Sequence, residues 1–289
     1  MNKKITKAVI PVAGKGTRFL PVTKGVLKTM FPIINKPTIQ YLIEEVVNAG
    51  IKDIIIVISE SQSSIKDYFD LNSKYYDDLK SRNKEIDELD QLLRDITITF
   101  VVQPSPKGLG DALLCCENLL KDEDFALLLG DDLVMKEQEE NYGIKDLIDS
   151  YNHNPAYYIG VKQVPWEETH KYGIVSIDDV SKIMLVNGMI EKPKENPPSN
   201  FAGVGRYILR SNVFDYLKRR PYDGVHEVQL TDAFIDALQE EHVYAIDFNG
   251  TRFDVGDHAG YVKASIAFAL KEEKIKDDIE KFIREMINK

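Results

Sequence analysis

The chain has only two cysteines, Cys115 and Cys116, adjacent in a segment of helical character. Neighbouring side chains on a helix point apart, so a disulfide between them is not expected, and a reduced, cytoplasmic setting fits. No run of about 18 apolar residues occurs, which excludes a membrane-spanning helix. Met1 to Lys7 is basic, but the apolar run after it is short and is broken by Pro11 and Gly14. A secretory leader is therefore not expected. A basic excess is missing too: 37 Lys and Arg against 47 Asp and Glu leave a formal charge of −10. That balance argues against nucleic-acid or membrane-surface partners. The histidines (His153, His170, His226, His242, His258) are scattered without zinc spacing. No activated Ser, Cys or His nucleophile stands out.

What is present is enough apolar residue, 43% of 289, for a sizeable core in one large domain or two small ones. Ala8 to Ala13 reads as a buried strand, Pro37 to Gly50 as a helix with apolar residues at helical spacing, and Asp53 to Ser59 as a second buried strand. Strand, connection with helix, strand is the βαβ pattern of a parallel sheet. Further strands are expected at Ile96 to Val102, Phe125 to Leu129, Tyr157 to Val164, Gly173 to Ser176, Ile183 to Ile190, Phe201 to Leu209, Val243 to Phe248 and Thr251 to Asp254. Helices are expected at Ser61 to Phe69, Gly108 to Leu120, Gly143 to Tyr151 and Val228 to Glu240. The highly charged stretch from Asp70 to Asp95 interrupts this rhythm and reads as a helical insertion, either a solvated face or a subunit contact. Two helices from His258 to Ile287 close the chain. With no repeat and no Pro- or Ser-rich linker, one domain over residues 1–289 with an embellished second half is the simplest description.

Four clusters carry chemistry. The strand at Ala8 to Ala13 breaks into a loop with Gly14, Gly16, Thr17 and Arg18, followed by Lys24 and Lys28. Glycines let backbone N–H groups approach an anion, and Arg and Lys supply charge, so the stretch suits phosphate. The third glycine of a dinucleotide fingerprint would fall at position 19, where Phe19 stands, and no G-x-x-x-x-G-K-[ST] loop occurs. Asp131 and Asp132 follow the strand ending at Leu129. Magnesium is usually held by one or two carboxylates plus substrate phosphates, though Gly-Asp-Asp is also a good turn. Asp254 is a second carboxylate that could converge on them. Gln103, with Lys107-Gly108-Leu109-Gly110, offers an amide for a base edge beside a flexible loop. Glu191-Lys192 after another strand pairs an acceptor for sugar hydroxyls with a cation for phosphate; a surface charge pair before a turn is the plainer alternative.

The stretches VIPVAGKGTRFLPVTK, KPTIQYLIEE, PKGLGDALL, FALLLGDDLV, YGIV, IEKPKENPPSN, GRYIL, EVQLTDA and FDVGDHAGY, in this order, resemble the bacterial UTP–glucose-1-phosphate uridylyltransferases, a sugar nucleotidyltransferase family. The resemblance runs from about Lys7 to Leu270. It implies an α/β fold with a Rossmann-like mixed, mostly parallel sheet flanked by helices. It implies uridylyl transfer from UTP to glucose 1-phosphate with Mg²⁺, in a cytoplasmic homodimer or homotetramer. By resemblance, Ala13, Gly14, Gly16 and Thr17 line the nucleotide, and Arg18 and Lys28 bind the triphosphate. Gln103 and Gly108 read uracil. Asp131 and Asp254 contact metal. Gly173 and Glu191 contact glucose hydroxyls, and Lys192 the sugar phosphate. Where the family usually shows T-K-A-x-P-K-E-M-L-P, this chain reads T-K-G-V-L-K-T-M-F-P, with Leu27 in place of the proline and Thr29 in place of the glutamate, and Ile34-Asn35 stands in the usual V-D-K-P. Those changes keep two alternatives in view: another nucleotide or sugar phosphate, and a non-catalytic nucleotide-sugar-binding homologue.

Overall fold

A computed structural model describes residues 4–60, 62–71, 76, 79–80, 84–138 and 141–288. Its centre is a nine-stranded sheet. The strands are β1 (Lys7–Pro11), β2 (Asp53–Ile58), β3 (Thr97–Val102), β4 (Phe125–Leu128), β6 (Tyr157–Gln163), β7 (Gly173–Ile177), β8 (Ile183–Glu191), β9 (Phe201–Leu209) and β10 (Val243–Asp247). Outside it, β5 (Asp132–Met135) pairs with β11 (Thr251–Asp254). The order across the sheet is β3-β2-β1-β4-β9-β6-β10-β8-β7. β1 to β4 run parallel as the βαβ pattern predicts. Beyond β4 the sheet turns: β9 is antiparallel to both β4 and β6, β10 is parallel to β6, and β8 is antiparallel to β10 and β7. Antiparallel pairing thus takes a larger share of this mixed sheet than the apolar strand runs suggest, because direction is not written in a single strand's hydrophobicity.

Alternate residues feed two cores, one on each face, as a pleated strand requires. Ala8 and Ile10, Ile54 and Ile56, and Ala126 and Leu128 join α1 (Thr38–Asn48) and α6 (Ile144–His153). Val9, Ile55, Val57, Phe125 and Leu127 join α4 (Leu109–Leu114), α7 (Val213–Arg219) and α8 (Leu230–Ala237). The helix expected from Gly108 to Leu120 is broken: a turn at Cys115-Cys116 separates α4 from α5 (Glu117–Leu120). Both cysteines are free and Cys116 is buried. Of the charged stretch, residues 72–75, 77–78 and 81–83 lie outside the described residues, as does Ser61. α2 (Ser63–Phe69) precedes that stretch, and within it α3 (Lys84–Arg94) buries Leu89 and Leu93 and sets Leu92 against the core, so its apolar stripe is packed. α9 (His258–Ala269) and α10 (Lys276–Ile287) close the chain. No helix among the described residues is long and apolar enough to cross a membrane.

Candidate active site

Because β1 to β4 are parallel, the loops after Pro11, Ile58, Val102 and Leu128 leave the same sheet edge, where α/β folds bind ligands. The loop after β1 turns at Gly16, whose φ of 60° is left-handed and whose absent side chain leaves room for Thr23 and Lys28. A Cβ there would meet Lys28 Cβ at 3.3 Å. Thr17 then opens a helical turn through Phe19. Phe19 is anchored among Phe31, His258 and Tyr261, with ring centroids 5.2, 4.7 and 5.9 Å away. That anchor holds the neighbouring Arg18 at the cleft, where Nη1 donates to Gly256 O at 3.3 Å.

Lys28 reaches across to the loop after β4: its Nζ lies 2.9 Å from Asp131 Oδ2. Gly130 permits the approach, since a Cβ there would sit 3.0 Å from Val12 Cγ1 and 3.2 Å from Pro11 O. Burial pushes the Asp131 carboxyl up, but the Lys28 ammonium outweighs it and holds the group below the ordinary Asp value. The acid's side chain remains 39% exposed toward the cleft. The β5–β11 ladder sets Asp254 directly opposite Asp132. As a result, Asp131 and Asp254 converge. A point one Cβ above Gly256 lies 3.1 Å from Asp131 Oδ2, 2.8 Å from Asp254 Oδ1 and 3.3 Å from Arg18 Nη1.

Asp132 turns away from this cradle. It is buried and takes a short ion pair from Arg252 Nε. Burial raises its carboxyl despite Arg252, and the nearby Asp131 and Asp254 add to the rise. Arg252 also lies 3.4 Å from Asp254 Oδ2, 3.2 Å from the Tyr172 hydroxyl, and over the Tyr172 ring. Arg252 thereby joins the acidic corner to Tyr172-Gly173. Gly173 and Glu191 face each other in the β7–β8 register, and Thr231 Oγ1 donates to Glu191 Oε2 at 2.6 Å. Lys192 adopts φ 46° and donates its N–H to Tyr172 O at 3.0 Å. Its half-exposed ammonium lies 3.1 Å from Glu191 Oε1.

Three adjoining cavities run through these groups. Arg18, Asp131, Gly173, Glu191, Lys192 and Asp254 share one. Gly14, Gly16, Lys28 and Asp131 share the second. Ala13, Gly14, Lys28 and Gln103 share the third, with Ser59 and Gln62. Gln103 is buried, and its amide nitrogen donates to Asp111 Oδ2 at 2.7 Å and to Gly108 O at 3.2 Å. Since Asp111 can only accept when ionised, the amide oxygen is the end left for a ligand donor. Gly108 stands behind Gln103 rather than in the cavity wall, at φ 105°; a Cβ on it would lie 2.7 Å from Val228 O. Sequence reading missed Arg252, Tyr172 and Thr231. Arg252 stands two residues before Asp254 on the same strand, hence on the same face, and that alternation was the available signal.

A profile of the family described as "Nucleotidyl transferase" matches residues 7–271. A Bacillus subtilis protein named UTP–glucose-1-phosphate uridylyltransferase is 42% identical over 291 residues, covering 99% of either chain. A solved structure described as UTP-bound UGPase from Acinetobacter baumannii superposes with a TM-score of 0.87 at 36% identity, covering 97% of this chain and 99% of that one. Another, of UDP-glucose pyrophosphorylase complexed with UDP-glucose, gives 0.83 at 35% identity over 93% of this chain and 100% of that one.

Proposed function

The chain belongs to the nucleotidyl transferase family, and from that premise we propose that it transfers a uridylyl group from UTP to glucose 1-phosphate, giving UDP-glucose and pyrophosphate. The observation that carries this reading is the convergence of Asp131, Asp254 and Arg18 on one point, with Lys28 paired to Asp131. Two carboxylates facing cations inside an open cleft suit a reaction between two polyphosphorylated or phosphorylated substrates.

A phosphate oxygen of glucose 1-phosphate attacks the α-phosphorus of UTP, and the bond to the β-phosphate oxygen breaks as pyrophosphate leaves. The nucleophile is already anionic, so no general base is needed. The chain's part is to align attack and departure and to neutralise crowded charge. Arg18 and Lys28 stabilise the triphosphate and the leaving pyrophosphate. Lys192 draws in the sugar phosphate, and Glu191 with Gly173 accepts the glucose hydroxyls. The Gln103 amide oxygen accepts from the uracil imide N–H, with Gly108 behind it, while Ala13, Gly14, Gly16 and Thr17 shape the nucleotide wall. The donor set fits Mg²⁺: Asp131 and Asp254 offer two carboxylates in an open cradle, the rest being left to phosphate and water. Bound there, Mg²⁺ supplies neutralisation of phosphate charge.

We read residues 1–289 as one nucleotidyltransferase domain with its insertion in the charged stretch and its C-terminal helices appended. The two free thiols fit a cytoplasmic setting. α10 leaves Phe282, Met286 and Ile287 exposed, apolar surface that a homodimer or homotetramer would cover.

Lys192→Ala tests the two-substrate reading. The expected result is a KM for glucose 1-phosphate raised about tenfold or more, with severely slowed turnover and a UTP affinity within about twofold of wild type. Near-normal kinetics with glucose 1-phosphate would remove Lys192 from the site.

A further inference from the structure

One buried polar group near the cleft is left without a role in this scheme. Thr29 is 4% exposed, and its Oγ1 has no hydrogen-bond partner among the described residues. Leaving a buried hydroxyl without a partner costs stability, so the group calls for an explanation, and a ligand that completes it is one. Thr29 follows Lys28 directly and lines the same small cavity as Gly14, Gly16, Lys28, Gly130 and Asp131. Its methyl packs over Gly130, where a Cβ would meet Thr29 Cγ2 at 3.1 Å. Thr29, Lys28 and Asp131 thus line one small cavity between two glycine-bearing loops, with Pro11 and Val12 as its apolar lining. Such a wall suits a polyphosphate oxygen rather than a sugar or a base. Thr29 also stands where the family pattern quoted above has a glutamate.

We infer that the Thr29 hydroxyl is a further phosphate-binding group, donating a hydrogen bond to a polyphosphate oxygen of UTP or of free pyrophosphate held in the Lys28–Asp131 cavity. The inference rests on the nucleotidyl transfer proposed above. It makes the unpartnered hydroxyl a cost in the empty chain that is recovered on binding.

Thr29→Val keeps the shape and the methyl contact over Gly130 and removes only the hydroxyl. The test measures UTP, pyrophosphate and UDP-glucose binding to the full chain by titration calorimetry with Mg²⁺, alongside thermal melts without ligand. Thr29→Val is expected to bind UTP and pyrophosphate about tenfold more weakly, to melt no lower than wild type, and Thr29→Ser to bind both as wild type does. Because UDP-glucose lacks the leaving pyrophosphate, its affinity is expected to change less than that of UTP. Wild-type affinity for both polyphosphates in Thr29→Val overturns the inference alone. If Thr29→Val does not fold, Thr29→Ser against Thr29→Ala isolates the hydroxyl, and equal polyphosphate affinities in that pair overturn it. A wild-type chain that binds neither UTP nor pyrophosphate overturns the parent reading and this inference with it.

Discussion

Asp131→Asn is expected to lower the rate of UDP-glucose formation by about a thousandfold, at every Mg²⁺ concentration that supports the wild type. The substitution keeps the shape of the side chain and removes its charge. In the folded chain Asp131 faces Lys28 at 2.9 Å and shares the Gly256 cradle with Asp254 and Arg18. Its loss would leave one carboxylate where two converge and would release Lys28 from its partner. Because Lys28 holds the Asp131 carboxyl below the ordinary range, the group stays ionised through neutral pH, and mild acidification is not expected to mimic the substitution. A thermal melt near that of wild type, with turnover lost across a Mg²⁺ titration, would match this role. Unchanged turnover would contradict it.

The second large effect is on stability. Arg206 lies in β9, wholly buried, and forms a two-pronged pair with Glu45 of α1: Nε to Oε1 at 2.8 Å and Nη2 to Oε2 at 2.7 Å. Nη2 also donates to Asp132 O at 2.9 Å, and Glu45 Oε1 accepts from Ile144 N at 2.8 Å. One ion pair thus ties α1, the start of α6, β9 and the Asp131-Asp132 turn together. Burial alone would lower the Arg206 guanidinium, but Glu45 outweighs it and keeps the charge. Glu45→Gln is expected to cost about 3–5 kcal/mol, because the guanidinium is then left buried without its counter-charge. The urea midpoint should fall while the slope holds. Replacing both partners, Glu45→Leu with Arg206→Met, should cost less than the single change, since no unpaired charge remains. A Glu45→Gln midpoint equal to wild type would contradict this account of the pair.

Much of this molecule was legible in its residues. The strand at Ala8 to Ala13, the helix after Pro37 and the strand at Asp53 to Ser59 announce a βαβ unit through their periodicity, and they occur within a residue or two of those limits. Gly16, at a left-handed φ, and Gly130 stand where a side chain would crowd its neighbours, as glycines in the turns after two buried strands suggest. Three things were not legible. β5 was missed because Asp132 to Met135 is short and borrows its pairing from β11, more than a hundred residues away. The break at Cys115-Cys116 is invisible in a run whose residues all suit a helix. Arg206 and Arg252 read as ordinary charges until the carboxylates they meet, Glu45 and Asp132, are brought from distant segments. Burial of a charge is a property of the assembled layers, and one strand's pattern cannot carry it. Asp254 is the middle case. Its chemistry was readable, but only the ladder with Asp132 shows that it meets Asp131.

The central claim is that one cleft holds both substrates and passes the uridylyl group directly between them. Pyrophosphate release by the purified full chain, followed with UTP alone, glucose 1-phosphate alone and both together in Mg²⁺, tests it most directly. Pyrophosphate and UDP-glucose should then form in equal amounts with both substrates present, with no release from UTP alone. A burst of pyrophosphate from UTP alone, or no product from the pair, would contradict the account.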